Sequence, residues 1–544
     1  MKYIRISILI SCIAILGVVS ALAQRKTSVP TKPRVVITAD PELDDNNTLI
    51  RAMLYTTDLD IEGLVYQAST FHWKGDGKGT TQYRPEWGAG RIKSCPDGCT
   101  SWRWPYPEHE AFIDHIVDAY AKVYPNLKVH NSDYPDPAEL KSKIKWGNVD
   151  FEGDFSKDTD GSNLIARLLL DDQPGPLYVT AQGGQSTIAR ALKSIYDEYH
   201  TSSQWTSIRD KVSHKLVIIP FGDQDGTYAS YIKPNWPDVT EWSLAMVVYG
   251  YGIRGTLSPE NQVYVSGAWT RANILNQGPL GALYRVWQDG VVMDPTDTYG
   301  FSADKLREIG RPAQEKDSFI SEGDTPTYLN LLNNGLRAQN GYWGGWGGIR
   351  RDGGGPGSMV QPRPPLAPDD PGVAPGLGPA GVKNPNIPDQ APAATQNRLQ
   401  GPRRPPPSPR TFAISNRFFA ASQNDFAARL KWSVTPKYAD ANHEPVVTLK
   451  GPLNVSAKIG STVQLQGQTS DPDGNSVAVG WWQYNDAGTY PGDITFSSTA
   501  SLTTSFQVPS DAKPGQTIHV ILEGTDNGTP PLTRYQRVIV TVAP

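Results

Sequence analysis

Residues 34–54 read RVVITADPELDDNNTLIRAML. The run Arg34–Thr38 is β-branched and strand-like, and it opens onto three carboxylates, Asp40, Asp44 and Asp45. A helix-like pattern follows at once. Asp40 falls at a strand end; Asp44 and Asp45 open a helix, where free N–H groups and the helix dipole favour negative charge. One reading is therefore a strand end and a helix cap. The other starts from repulsion: acids converging on one strand end are relieved by a hard cation with several oxygen ligands. Such a cation also acidifies a bound water, and one carboxylate can take the proton. The motif alone leaves both readings open.

Outward from this stretch, short aliphatic runs alternate with helical ones as far as about residue 349. DIEGLVYQA, PLYVTAQGG and HKLVIIPFGDQD read as strands, each ending in Gly, Asp or a small polar residue. EAFIDHIVDAYAKVY, SNLIARLLLDD and STIARALKSIYDEYH read as helices. This alternation predicts an α/β fold with a mostly parallel sheet flanked by helices. Ligands of such sheets bind beyond the carboxyl ends of the strands, where the opening acids fall.

The chain has 544 residues, enough for two or more domains. A net charge of −4 gives no reason to expect nucleic acid or an acidic membrane as partner. Fifteen tryptophans and twenty-four tyrosines serve either the core or stacking on sugar faces. Lys2, Arg5, the apolar run Ile6–Val19 and Ala21-Leu22-Ala23 read as a signal peptide over 1–23, cut after Ala23, so the mature chain is expected to be secreted or periplasmic, without stable membrane insertion. Cys95 and Cys99 flank turn residues and form either a small disulfide loop or free thiols. Residues from about 353 to 410 are rich in Pro and Gly and read as a disordered insertion within a domain spanning 32–440. Residues 441–544 carry strand-like runs separated by turns, as in an immunoglobulin-like β-sandwich. Trp481 and Trp482 fall on opposite faces of one of its strands, and Asp471, Asp473 and Asp526 offer either a calcium site or simple turn chemistry.

The strand–acids–helix arrangement resembles the nucleoside hydrolase superfamily, whose members carry D-x-D-P-G-x-D-D at this place. TADPELDD keeps the last three acids and the proline, with Thr38 where the first Asp stands and Glu42 where the Gly stands. PLYVTAQGGQSTIARAL is similar to the family's G-G-x-T-N-I-A segment, with Thr187 at the Asn, and EGDTPTYLNLL to its helix-opening His-Asp-Ala segment. The resemblance implies Ca2+ held by Asp40, Asp45, the Gln182 carbonyl and Asp324. It also implies Asp40 as general base and Asp44 as the grip on sugar hydroxyls. The family's leaving-group His is Gly323 here; Glu322 and His72 are possible substitutes.

A closer resemblance, carried by FGDQDGTYASYIKPNWPD, GYWGGWGGIRR and QNDFAARLKWSV, is to a secreted subfamily that includes a cellulose-binding member. It implies a secreted glycosidase that uses calcium to hydrolyse a glycosidic bond in a plant-derived saccharide or glycoside. The alternatives are a non-catalytic cellulose- or polysaccharide-binding protein and a true nucleoside hydrolase. Asp223 and Asp225 are either sugar contacts or turn residues. Trp343 and Trp346, flanked by glycines, are either exposed binding rings or buried ones.

Overall fold

The computed structural model describes residues 32–82, 98–242, 244–245, 249–350, 365–372, 377–378 and 409–544. The signal segment 1–23 and Cys95 lie outside the described residues. Strands β1 (Arg34–Ala39), β2 (Asp60–Tyr66), β3 (Ile144–Trp146), β4 (Leu177–Ala181), β5 (Leu216–Pro220) and β6 (Thr240–Glu241) form one sheet in the order β3-β2-β1-β4-β5-β6. Every neighbouring pair is parallel. A parallel sheet covered on both faces needs apolar side chains on both, so its inner strands read V-V-I-T-A, L-Y-V-T-A and L-V-I-I-P.

The two faces pack separately. Val35, Ile37 and Ala39 of β1 meet helices α1 (Leu43–Leu54) and α2 (Phe112–His130). Val36, Val179 and Ile218 meet α3 (Asp160–Leu170), α4 (Ser186–Tyr199) and α5 (Trp205–Lys215). The order of the strands puts β1 beside β4 at the centre. The loops after these two strands therefore meet, and Asp40 and Gln182 are neighbours by topology.

Helix α6 (Pro409–Val434) returns the chain to the first core through Phe418, Phe426, Leu430 and Trp432. Its start lies within the span read from sequence as a disordered insertion. Residues 365–372 also correct that expectation: Leu366 N–H donates to the Ser230 carbonyl at 2.8 Å, and Phe155 N–H donates to the Gly372 carbonyl at 2.8 Å. The remainder of 353–408 lies outside the described residues, apart from the short Leu377–Gly378 strand.

Seven strands then make two sheets: β7 (Val446–Lys450), β8 (Asn454–Lys458), β9 (Thr462–Ser470), β10 (Val477–Gln483), β11 (Thr503–Gln507), β12 (Thr517–Asp526) and β13 (Thr533–Ala543). They pair as β7-β9-β11 and β8-β13-β12-β10 around Leu465, Trp481, Phe506, Leu522 and Val540. Trp481 points into this core, while Trp482 faces the first domain, its ring 6.2 Å from that of Phe418. Ile521 and Tyr535 on the outer face of the second sheet join the core of the α/β domain.

Candidate functional site

Asp40 is the residue after β1 and is fully buried. Its Oδ2 accepts the Ser69 hydroxyl and lies 3.4 Å from His72 Nδ1; its Oδ1 has no hydrogen-bond partner. The N-cap of α1 is Glu42, which makes no side-chain cap bond. Asp44 and Asp45 turn their carboxylates to other donors. Asp45 Oδ1 accepts the Asp40 N–H at 3.1 Å. Asp44 accepts the Ser321 hydroxyl at 2.9 Å and the Tyr251 hydroxyl at 3.1 Å. The helix-cap reading of these acids therefore gives way to a cluster of acceptors held together by neighbouring loops.

The turn after β4 closes the cluster from one side. A β-carbon on Gly183 would stand 3.0 Å from Asp40 Cβ, and one on Gly184 would stand 2.3 Å from Asp225 Oδ2. Only glycine lets the backbone come this near. Gln182 N–H donates to the Thr38 carbonyl at 2.9 Å, and the Gln182 carbonyl accepts Gln224 Nε2 at 2.6 Å. From the other side comes Asp324, 2% exposed, whose Oδ1 has no hydrogen-bond partner.

Burial pushes the Asp45 and Asp324 carboxyls well above the usual range, and the charges of the surrounding acids push further. Asp44 rises to about 6, chiefly through burial, although the Ser321 hydroxyl opposes it. Glu42 rises to about 8 through burial and the neighbouring Asp44. His72 goes the other way for its type. Burial opposes its charge, yet the nearby Asp294 and Asp40 carboxylates favour the charged ring and lift it to about 10.

These residues fit a hard cation. The donors are carboxylates crowded against one another, and the partnerless Asp40 Oδ1 and Asp324 Oδ1 are buried oxygens awaiting a positive partner. The Gln182 carbonyl keeps a second lone pair beside its bond from Gln224. Among the described residues the groups whose ligand atoms converge within 4.8 Å are Asp40 with Glu42 and His72, and Glu42 with Asp44 and Asp45. Asp45 also meets Asp40 through the latter's N–H, and the charge of Asp324 acts on Asp45.

Other expected residues fall elsewhere. Glu322 is no free acid: it is fully buried and forks onto Arg51, with Nε–Oε2 at 2.6 Å and Nη2–Oε1 at 3.0 Å. Asp225 is committed to the fold, its Oδ2 accepting the Gln185 and Ser186 N–H groups at the start of α4, both at 2.9 Å. Its Oδ1 accepts the Thr227 hydroxyl at 2.6 Å. Asp223 accepts the Ala229 N–H at 3.0 Å, also turn chemistry. Trp346 is 2% exposed and sets its edge against Tyr535 of the sandwich, which leaves no face for a sugar. Trp343 lies edge-on to His519, with Arg337 over its ring at 5.2 Å. Both tryptophans are interface residues because the sandwich covers their glycine-rich loop. In the sandwich, Asp471 accepts the Asp473 N–H and Asp526 accepts the Gly528 N–H, both at 2.9 Å, again as turn acceptors. Cys99 is disulfide-bonded.

The structure adds residues that no motif announced. Tyr251 bridges Glu42 and Asp44 at 3.1 Å each while its ring is 43% exposed. That ring stacks on Tyr299, with centroids 5.6 Å apart, and Trp287 meets Tyr299 edge-on at 5.1 Å. An aromatic platform therefore stands at the mouth of the acid cluster. Asp294 lies behind His72, its Oδ2 3.9 Å from Nε2.

Comparison with known proteins bears on the same architecture. No curated protein matches the chain. A solved structure, described as a nucleoside hydrolase-related hypothetical protein from Saccharophagus degradans associated with carbohydrate metabolism, is 26% identical with a TM-score of 0.62. It covers 94% of this chain and 100% of its own. Murine CRIg covers 18% of this chain and 97% of its own at 16% identity and a TM-score of 0.14, which carries no argument. The family described as "Cellulose-binding Sde182, nucleoside hydrolase-like domain" matches residues 34–349, and "Cellulose-binding protein Sde0182, C-terminal domain" matches residues 462–542. The chain belongs to the Sde182 cellulose-binding family, with that family's nucleoside hydrolase-like domain followed by its C-terminal domain.

Proposed function

We propose that this chain is a secreted or periplasmic hydrolase that cleaves a glycosidic bond of a plant-derived saccharide or glycoside at the acid cluster. The observation that carries this reading is the division of labour within Asp40. One oxygen is fixed by Ser69 and faces His72, while the other is buried, partnerless and surrounded by acids. Calcium, held by Asp40, Asp45, Asp324 and the Gln182 carbonyl, would neutralise these charges and make a water at the site more acidic.

Asp40 then takes the proton of the attacking water. Asp44 accepts the hydroxyls of the sugar, oriented by Ser321 and Tyr251. The exposed face of Tyr251, backed by Tyr299, carries the apolar face of the ring next to the broken bond. Gly323 offers no side chain to a nucleobase, and Glu322 is spent on Arg51. Both facts favour a sugar over a base as leaving group. Among the described residues no helix is long and apolar enough to cross a membrane.

A second reading has its own support: the family is described as cellulose-binding, and a polysaccharide-binding protein needs no turnover. Asp40→Asn separates the two on a panel of plant-cell-wall oligosaccharides. Hydrolysis that is abolished while binding persists supports the enzyme. Binding with no turnover in the unaltered chain supports the binding protein. Release of base from inosine or uridine would overturn both in favour of nucleoside hydrolysis.

A further inference from the structure

Asp40, Glu42 and His72 each present one ligand atom, and the three atoms lie within 4.8 Å of one another. They come from the end of β1, the start of α1 and the loop after β2, so the fold converges them from separate segments. Acids alone would say little. The imidazole is what distinguishes this group: His72 is 4% exposed, and its Nδ1 has no hydrogen-bond partner.

That nitrogen faces Asp40 Oδ2 across 3.4 Å, and an ion bound there takes the place of the ring proton, which is released to solvent. A charge-assisted N–H···O bond would be nearer about 2.7–2.9 Å. Two ligands each bound at about 2.0–2.1 Å to one tetrahedral ion, however, stand ~3.4 Å apart. On its far side the ring has a carboxylate neighbour beyond hydrogen-bond reach. Its Nε2 lies 3.9 Å from Asp294 Oδ2, and the other oxygen of Asp294 accepts the Thr296 N–H at 2.6 Å and hydroxyl at 2.7 Å. Around Asp40, Ser69 donates its hydroxyl to Oδ2 and accepts the Phe71 N–H at 2.9 Å, which folds the loop about the cluster.

We propose that Asp40, Glu42 and His72 form a second cation site, distinct from the all-oxygen calcium set, that takes a borderline divalent transition-metal ion such as zinc. Calcium prefers oxygen ligands throughout, whereas an imidazole nitrogen beside two carboxylates suits zinc and its neighbours. Three protein ligands leave one position for water or a substrate hydroxyl, the pattern of reactive rather than structural zinc sites. Asp40 serves both sets through its two oxygens. Tyr251 holds Glu42 Oε1 at 3.1 Å and leaves the other oxygen for the ion.

The test uses the full chain, stripped with chelator, saturated with calcium, and titrated with zinc by calorimetry while elemental analysis counts both metals. The site requires one zinc retained per chain with calcium still bound. His72→Gln and Glu42→Gln are expected to weaken zinc at least about tenfold. Asp324→Asn should weaken calcium while zinc uptake persists. Cobalt in place of zinc gives a folding-independent check on the unaltered chain, through visible bands of a low-symmetry nitrogen–oxygen site. Zinc displaced one-for-one by calcium, no zinc retained, or unchanged zinc affinity in His72→Gln would overturn the proposal.

Discussion

Position 323 is where the resemblance to nucleoside hydrolases would place a histidine, and restoring it offers a direct test of how the pocket is built. A β-carbon there would stand 2.6 Å from Asp44 Oδ2 and 3.5 Å from Phe221 Cζ. Ordinary contact begins at 3.4 Å, so Asp44 must retreat by ~0.8 Å in Gly323→Ala and Gly323→His alike. The Ser321 hydroxyl bonds that same oxygen at 2.9 Å, and the retreat breaks or badly stretches the bond. A hydrogen bond to a buried carboxylate contributes about 1.5–3 kcal/mol. With a smaller loss at the partly exposed Tyr251, the cost is about 3 kcal/mol. An unfolding entropy of roughly 1 kcal/mol/K for a chain of this size turns that into a fall of about 3 °C in melting temperature. Scanning calorimetry reads the shift, and base release from inosine and uridine reads the activity. The His variant is expected to melt lower and to release no base. An unchanged melting temperature in Gly323→Ala, or nucleoside cleavage by Gly323→His, would refute the claim that Asp44 owns this space.

Glu322→Gln leaves Arg51 buried without its counter-charge and is expected to cost about 3–5 kcal/mol, seen as a lower denaturation midpoint; a midpoint within error of the parent would contradict it. Calcium is expected to raise the melting temperature of the parent chain but not of Asp324→Asn, and an equal rise in both would remove Asp324 from the ligand set. Tyr251→Ala should weaken saccharide binding by about fivefold, the scale of one aromatic contact of ~1 kcal/mol, as measured by calorimetry with the best oligosaccharide of the panel. Asp425 sets an acid limit. Burial opposes its charge, but Arg534 and Arg429 hold its carboxyl at about 2, below the ordinary 3.8. A depressed carboxyl stabilises the fold above its unfolded value, and that contribution disappears as pH falls from about 4 through about 2. Thermal melts across this window should show the loss in the parent and a flatter profile in Asp425→Asn.

The fold was legible because it rests on local patterns. Strands covered on both faces must be apolar throughout, and β1, β4 and β5 announce themselves by running out into polar residues, Asp40 and Gln182 directly after the first two and Asp223 three residues past the third. Asp40, Asp44 and Asp45 were legible as neighbours because β1 runs straight into α1, whereas Asp324 was suggested by resemblance alone. The surroundings of the acid cluster were not legible. Tyr251, Tyr299 and Asp294 lie in irregular segments far along the chain from Asp40, and nothing in local sequence says that these loops fold back over β1. Trp343 and Trp346 stayed open between exposed and buried for a related reason. Glycines on either side mark a loop, but whether a loop faces solvent depends on what docks there, and here Tyr535 and His519 do. Asp225 shows the ambiguity of a carboxylate after a strand: the same type and position serve a ligand or a neighbouring helix start, and only the two N–H groups of α4 decide.

The fastening of the sandwich bears on both functional readings. Asp425 of α6 accepts the Tyr55 hydroxyl at 2.8 Å, Arg429 Nε at 2.9 Å and Arg534 Nη1 at 2.6 Å. Arg534 reaches Glu444 at 3.1 Å, and Arg429 reaches Asp58 at 3.3 Å. Charges withdrawn from water in this way are tolerable only while each keeps its partners, so small displacements of the sandwich are costly and large ones leave buried charges exposed to no counter-ion. A binding module on a flexible tether would have no use for such a network. Of the two tryptophans in the glycine-rich loop, Trp346 is buried in the junction alongside Phe418 and Tyr535, and Trp343 is half-buried at its edge. Any saccharide contact made by the sandwich must therefore use its outward sheet β7-β9-β11 or its loops, at a fixed distance from Asp40. That rigidity suits a site that meets its substrate in one orientation, and it makes the Tyr251–Tyr299 platform, rather than the glycine-rich loop, the aromatic surface nearest the chemistry.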